Sequence, residues 1–430
     1  MQRFWFFTYR CIIFPFIYFS VIVLSRFNSK IRKGLKDRRG LFDKLERFRK
    51  NLGDSEKIVL FHCVSMGELQ QAKPLAKKIK ERFPLIRIVV SFLSPSGYDN
   101  FKESSEFDFK IYLPTDRYKN AEKFFSILKP SLWIIVKHDI WPIHLKACYK
   151  NKIPIVLVDA NLPRKSKRIL PIAKSFFKSF YKDIDLVMPV SENDAERFLM
   201  IYPYKDRIIP TGDTRYDQVF YNSQITEGKD IPHLSFYNGK RVFVSGSVWK
   251  EDLQHILPAL SKLLREYENL YVIIVPHEPN FEQLDYLDRE LNKLKLNYNK
   301  YTELKDAPSE RILIIDRIGF LAGIYRYSYI TYVGGSFTTG VHNVMEPAIF
   351  NSPVLFGPKH NNSFEAIEMV KRGGAFPIDN ENDVYCLVSS FLKDPQKREK
   401  SGREAASVVM ENLGAADRIT NYIEDYFRNF

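Results

Sequence analysis

Short apolar segments rich in Val and Ile set the strongest limit on how this chain can fold. "KIVLF" (57–61), "LIRIVVSF" (85–92), "LWIIV" (132–136), "IPIVLVDA" (153–160) and "IDLVMPVS" (184–191) are each followed by turn residues or a stretch with helical spacing. Segments so uniformly apolar suit strands buried on both faces. Such strands alternating with helices predict a doubly wound parallel sheet. The pattern pauses over 216–239, "YDQVFYNSQITEGKDIPHLSFYNG", which has no clear period and reads as an interdomain linker. It restarts with "KRVFVSGS" (240–247), "LYVIIVPHE" (270–278), "ILIID" (312–316), "YITYVGGS" (329–336) and "SPVLFGP" (352–358). The expectation is an α/β protein of two Rossmann-like domains, 51–215 and 240–404, with a helical tail over 405–430 that folds back on the first. A length of 430 residues with 45% hydrophobic content is enough for two such cores.

Ligands of open α/β sheets bind beyond the carboxyl ends of the strands. Two such domains facing a cleft would line it with the residues that follow each strand. After "KIVLF" comes "CVSMGELQQAKPLAKKI" (63–79). Ser65 and Glu68 have the spacing of a capping box, in which Ser65 bonds the third helical amide and Glu68 reaches back to the amide of Ser65. The sharper reading makes Glu68 a catalytic carboxylate at the sheet's mouth. Asp139 in "KHDIWP" also lies past a strand, so two carboxylates from different strand ends can converge on one hydroxyl. "KDIDL" (182–186) holds a D-x-D, but its acids precede a strand and read as a turn.

In the second half the densest stretch is "YVGGSFTTGVHNVMEPAIFNSPVLFGP" (332–358). Gly334 and Gly335 permit close backbone approach, and with Ser336 they suit an anion. A helix expected to begin near His342 or Asn343 would offer free amides to a phosphate. His342 and Glu346 would then share a face of its first turn, with Glu346 suited to ribose hydroxyls. Ser245, Gly246 and Ser247 follow another strand and can wrap an anion, or simply cap a helix. His277, in "VPHEP" (275–279), lies at a third strand end.

The formal charge is +14, and residues 1–50 hold 13 Lys/Arg against 3 Asp/Glu. The excess therefore belongs to the N-terminus and does not mark a nucleic-acid-binding face. There, "FWFFTYRCIIFPFIYFSVIVL" (4–24) is almost wholly apolar and just long enough to span a bilayer. Arg10 and Pro15 leave a shallow interfacial helix as the alternative. Trp5, Tyr9 and Tyr18 suit the headgroup level. "SRFNSKIRKGLKDRRG" (25–40) follows with many cations and no small-x-small cleavage site, so a retained anchor with a cytoplasmic body is expected, resting on anionic lipid. Four scattered cysteines, Cys11, Cys63, Cys148 and Cys386, suggest free thiols, and no cluster has metal-ligand spacing.

Taken in order, "SMGEL" (65–69), "SGY" (96–98), "YLPTD" (112–116), "DIWP" (139–142), "GDTRYD" (212–217), "VGGS…HNVMEPA" (333–348) and "FGP" (356–358) resemble the bacterial 3-deoxy-D-manno-octulosonic acid (Kdo) transferases of lipopolysaccharide synthesis. The resemblance implies a GT-B fold, with acceptor bound mainly by the first domain and nucleotide sugar by the second. It implies inverting, metal-independent transfer of Kdo from CMP-Kdo to a lipid A precursor of the lipid IVA type at the cytoplasmic face of the inner membrane. It assigns the general base to Glu68, support to Asp139, and the nucleotide to His342, Asn343 and Glu346. Ser65 and Gly67, in the same motif as Glu68, and Arg215 fall on the acceptor side of the cleft. The chain departs from the family where "PHEPNF" stands for "PRHPER", putting His277 at an arginine position. "DANLP" (159–163) stands for "NARLS", "GDTRYD" for "GNLKFD" and "DIWPI" for "EIWPN". Two other readings stay open: a GT-B transferase using a UDP-sugar, and a tethered nucleotide-sugar-binding relative without chemistry.

Overall fold

A computed structural model describes residues 1–430 apart from 54–55, 102–104, 228–230 and 429–430 and the side chains of Glu227 and Arg428. The chain forms two compact units, Met1–Gln218 with Gly414–Phe430, and Val219–Leu413. The first holds six strands: β1 (Lys57–Cys63), β2 (Ile86–Phe92), β3 (Phe109–Tyr112), β4 (Leu132–Val136), β5 (Ile155–Ala160) and β6 (Leu186–Pro189). All pair in parallel, in the order β3-β2-β1-β4-β5-β6. Both faces are covered, which is why the strands are apolar throughout. Along β1 and β4, Leu60, Trp133 and Ile135 enter one core while Val59, Phe61, Ile134 and Val136 enter the other. Strand order reverses between β1 and β4, and that reversal opens the sheet's ligand crevice at their carboxyl ends.

The second unit repeats the plan with β7 (Arg241–Val248), β8 (Leu270–Pro276), β9 (Asn299–Lys300), β10 (Ile312–Ile314), β11 (Ile330–Val333), β12 (Val354–Phe356) and β13 (Ala375–Pro377). The order is β13-β12-β11-β7-β8-β10-β9, again parallel, with the reversal between β7 and β11. The edge strands β3, β9 and β13 escape the sequence pattern. They are short and partly solvent-facing, so they carry few of the apolar residues that mark a central strand.

Two expected boundaries move. Half of the region read as a linker, 216–227, belongs to the helix Thr214–Glu227. Its buried stripe is Tyr216, Val219 and Ser223, and a stripe with a Ser in it is hard to tell from loop. The tail also divides. Residues 405–410 finish the helix Pro395–Met410 in the second unit, and only from Gly414 does the chain belong to the first. There the helix Ala415–Ile423 packs Ile419 and Ile423 into the β-sheet core. Asp217 fixes its start by accepting the amides of Gly414 at 2.7 Å and Ala416 at 3.1 Å.

The N-terminal apolar stretch is one helix, Gln2–Phe27, long and apolar enough to cross a membrane. A π-helical turn at Tyr9–Ile13 precedes Pro15 and makes room for its ring, so the helix continues past it. The polar tips of Trp5 and Tyr9 are satisfied by the protein body, at Ser175 (2.9 Å) and Asp116 (2.7 Å).

Candidate active site

The crevice of the first sheet begins where β1 ends. The helix Met66–Arg82 follows at once, with Ser65 as its extended N-cap. The capping box does not form. Ser65 makes no side-chain cap bond, and Glu68 accepts the amide of Val64, one residue further back than expected. The carboxylate therefore points back over the strand end instead of along the helix surface. Gly67 is exposed beside it. Gly97, of the "SGY" motif, packs beneath: a Cβ there would lie 2.6 Å from the Phe92 ring. Glu68 is buried, and burial raises its pKa, opposed by the Val64 amide, Lys137 and His62 and reinforced by the charge of Asp139.

Asp139 stands in the turn after β4, the strand beside β1. It accepts Trp141 Nε1 at 2.8 Å and faces His62 Nε2 at 3.4 Å. Burial pushes its carboxyl up, but His62 and Trp141 outweigh that and hold it below the usual range. Two neighbouring carboxylates are thus driven apart, Glu68 toward protonation and Asp139 toward charge, which is the separation acid–base chemistry needs. The charge of Asp139 acts on Glu68, so the two lie in one electrostatic neighbourhood.

His62 escapes that reading. It is a fully buried residue of β1, and its Nδ1 lies 3.0 Å from Ser91 Oγ. A carboxylate only accepts, so Nε2 must carry the proton toward Asp139; Ser91 Oγ also lies 3.1 Å from Phe61 O, and its one proton serves either that carbonyl or Nδ1. The only signal was a polar residue inside "KIVLFHC". Lys137, at φ +68°, and His138, whose pKa burial and the nearby Arg168 lower to about 4, complete the β4 turn. Arg215 is held by Asp213 at 2.8 Å, at the start of the helix Thr214–Glu227.

In the second unit the expected anion cradle is rearranged. Ser245 lies inside β7, fully buried, with no hydrogen-bond partner for its hydroxyl. Gly246 serves packing, since a Cβ there would sit 1.9 Å from Tyr325 Oη. The amides of Gly334 and Gly335 are already taken, by Gly246 O at 2.9 Å and the Asp252 carboxylate at 3.0 Å. Ser336 is buried and accepts the Gly357 amide at 2.6 Å. These groups weld the ends of β7 and β11 together. A Cβ on Gly334 would meet Ser247 O at 2.3 Å, and Gly335 needs φ +96°. Asp252, unmarked in the sequence reading, is the hub: it also accepts Tyr332 Oη at 2.7 Å and the Trp249 amide at 2.8 Å.

What the weld presents is Ser247 with two histidines. Ser247 Oγ lies 2.7 Å from His277 Nδ1 and 2.8 Å from His342 Nδ1, and the imidazole centroids are 4.7 Å apart. One hydroxyl proton serves only one of them, so the other ring must donate its own Nδ1–H. Trp249 covers His277 at 4.4 Å. Burial lowers the pKa of His342, and His277 lowers it further. The helix after these residues is a single turn, Met345–Ala348, beginning later than expected and too short for a dipole site. His342 precedes it. Asn343 caps it through the Met345 amide and donates to Glu346 Oε1 at 3.1 Å. Desolvation lifts the Glu346 carboxyl to about 7, opposed only by that bond. No cluster of metal-binding side chains occurs among the described residues.

A family profile for 3-deoxy-D-manno-octulosonic-acid transferase (kdotransferase) matches residues 33–218. The 3-deoxy-D-manno-octulosonic acid transferase of Haemophilus influenzae is 25% identical over 433 residues, covering 99% of both chains. That of Aquifex aeolicus is 26% identical over 381 residues, 86% of this chain and 98% of its own. Among solved structures, the UDP-GlcNAc 2-epimerase of Neisseria meningitidis superposes with a TM-score of 0.60 at 12% identity, over 86% of this chain and all of that one. That of Methanocaldococcus jannaschii gives 0.53 at 14%, over 85% and 99%. These two share the fold alone, and it is the GT-B pairing of parallel-sheet units described above. With the Haemophilus relative matching from end to end and the motifs in their expected order, the chain is similar to the Kdo transferases along its length and is a glycosyltransferase.

Proposed function

We propose that the protein transfers Kdo from CMP-Kdo to a lipid A precursor of the lipid IVA type. The observation that carries this is Glu68: a buried carboxylate at the β1–β4 reversal, its pKa raised by burial, beside an Asp139 held low. An acceptor hydroxyl reaching Glu68 loses its proton to the carboxylate as its oxygen attacks the anomeric carbon of Kdo. The bond from that carbon to the CMP phosphate oxygen breaks, and its electron pair leaves with CMP. General-base assistance of this kind is worth on the order of a hundred- to ten-thousand-fold. Asp139 and His62 orient the neighbourhood of the base. Ser247, His277 and His342 are the donors suited to the departing phosphate, with His277 in the role of the family's arginine; Glu346 and Asn343 suit ribose hydroxyls. No step requires a metal. The N-terminal helix and the cations after it keep the enzyme on anionic lipid at the cytoplasmic face of the inner membrane, where its amphiphilic acceptor resides.

The test is transfer from CMP-Kdo, generated in situ, to a tetra-acylated lipid A precursor, read by mass spectrometry. Wild type should add Kdo mass, while Glu68→Gln keeps CMP binding and loses transfer by at least about a hundredfold. Near-normal turnover by Glu68→Gln removes Glu68 as the base. Inhibition by UDP in place of CMP moves the donor to a UDP-sugar.

A further inference from the structure

The N-terminal helix is fastened to the protein along its length. Gln2 donates to Asp183 at 2.7 Å, Trp5 to Ser175 at 2.9 Å and Tyr9 to Asp116 at 2.7 Å, and Arg117 lies over the Tyr18 ring at 4.3 Å. Between them Tyr9 and Phe14 are buried in the core of the first unit. From residue 2 to residue 18 is about 24 Å of helix, and the nine residues left to Phe27 reach only about 13 Å further. A hydrocarbon core is about 30 Å thick, or about 20 helical residues, so the helix cannot cross it without breaking at least the contacts of Tyr9, Phe14 and Tyr18.

The opposite face of the helix is apolar and bare. Phe4, Phe7, Ile12, Phe16, Phe19 and Phe27 are each more than 60% exposed. A second apolar projection stands next to it: Leu170 and Ile172, at the start of the helix Pro171–Tyr181, are 56% and 77% exposed. Between the two runs a groove of about 640 Å³ whose lining is wholly apolar, with Trp5, Ile13, Leu170, Ile172, Phe176 and Phe177 among its walls. The loop leading into Leu170 carries exposed Arg164, Lys165 and Lys167, and Lys30 and Arg32 follow the apolar helix. Apolar projections collared by cations complement one surface, an anionic bilayer.

We infer that the Gln2–Phe27 helix lies in the plane of an anionic membrane, that Leu170 and Ile172 enter the same leaflet, and that the groove between them seats a phospholipid acyl chain. This rests on the membrane-side part of the function proposed above and is independent of its donor and acceptor. It has a consequence for the site. Asp116, which accepts Tyr9, also accepts the amides of Ile143 (3.2 Å) and His144 (2.9 Å) in the helix Pro142–Lys150, just after Asp139 and Trp141. One carboxylate thus joins the membrane helix to the loop that holds Asp139.

Tryptophan depth decides it. Full-length protein is bound to phosphatidylglycerol-containing vesicles whose lipids are brominated near the headgroup or near the chain end. Two probes on the bare face, Phe4→Trp and Phe16→Trp, are each placed in the Trp5→Phe background, and the signal of each is its difference from Trp5→Phe alone. An in-plane helix puts both probes at the same shallow depth, whereas a spanning helix separates them by about 18 Å and overturns the inference. Leu170→Glu/Ile172→Glu should weaken vesicle binding at least tenfold without changing the melting temperature, because both side chains are exposed. Unchanged binding removes the second insertion point and the groove. Equal affinity for neutral phosphatidylcholine vesicles overturns the choice of an anionic surface. No sugar donor is present, so a failure of Kdo transfer leaves this result standing, and a spanning helix leaves Kdo transfer standing.

Discussion

Replacing Asp159 by Asn should stabilise the protein at neutral pH and leave it unchanged in acid. Asp159 sits in β5, almost fully buried, with φ +49°. One carboxyl oxygen accepts the Thr214 amide at 2.9 Å, and the other lies 2.5 Å from Thr214 Oγ1. That hydroxyl is also 3.0 Å from Gln71 O. A hydroxyl has one proton, so both contacts are hydrogen bonds only if the carboxyl is protonated and donates to Thr214, which then donates to Gln71. Burial, aided by the charge of Asp213, agrees, lifting the carboxyl from 3.8 to about 7. The native state therefore keeps a proton that the unfolded chain releases near pH 4. Stability falls as pH rises from about 4 to about 7 and levels off above that, the reverse of an ion-paired aspartate. Roughly three pH units correspond to about 4 kcal/mol. Asn supplies the same bonds without titrating: its oxygen accepts the amide and its Nδ2 donates to Thr214. It is also the residue that the "NARLS" family pattern has here. Thermal unfolding of both proteins from pH 4 to 8 should show melting temperatures that nearly coincide at pH 4, already differ at pH 5 and diverge by roughly 5–10 °C at pH 8. Acids away from Asp159 and Asp213 are common to both and cancel in the difference. A difference that stays constant from pH 5 to 8 would refute the shared-proton arrangement.

Two further substitutions separate the two sites. His62→Leu keeps the strand apolar but leaves Asp139 with Trp141 as its remaining side-chain donor; kcat for sugar transfer should fall at least about tenfold while calorimetric CMP affinity is unchanged, and an equal loss in both would mean that His62 only supports the fold. Gly335→Ala places a methyl 2.7 Å from His342 Nε2 at φ +96°, so it should cost about 1–3 kcal/mol of stability and weaken CMP binding, with a wild-type melting curve and affinity counting against the weld of β7 to β11.

The residues that sequence reasoning found are those whose position depends only on local pattern. An apolar run followed by a polar turn fixes where a strand ends, and in a parallel sheet the strand end is where ligands meet the protein. Glu68, Asp139, Ser247, His277 and His342 could therefore be placed from the chain alone. What could not be read is what those residues face. His62 looks like a core filler in "KIVLFHC" because its role appears only when β4 is laid beside β1, 70 residues later in the chain, and Asp139 swings over it. The GGS amides looked free for a phosphate because nothing local reveals that Gly246 O and Asp252 reach them first. The same holds for the anchor. Composition over 4–24 is compatible with spanning or lying flat, and Trp5 and Tyr9 suit headgroups equally well in either case. Only their partners, Ser175 and Asp116, far along the chain, distinguish the two. Each of these differences arises where a backbone group or polar tip that local pattern leaves open is satisfied by a residue brought in by the sheet order. Those partners, more than the motifs themselves, decide which side chains remain available to a substrate.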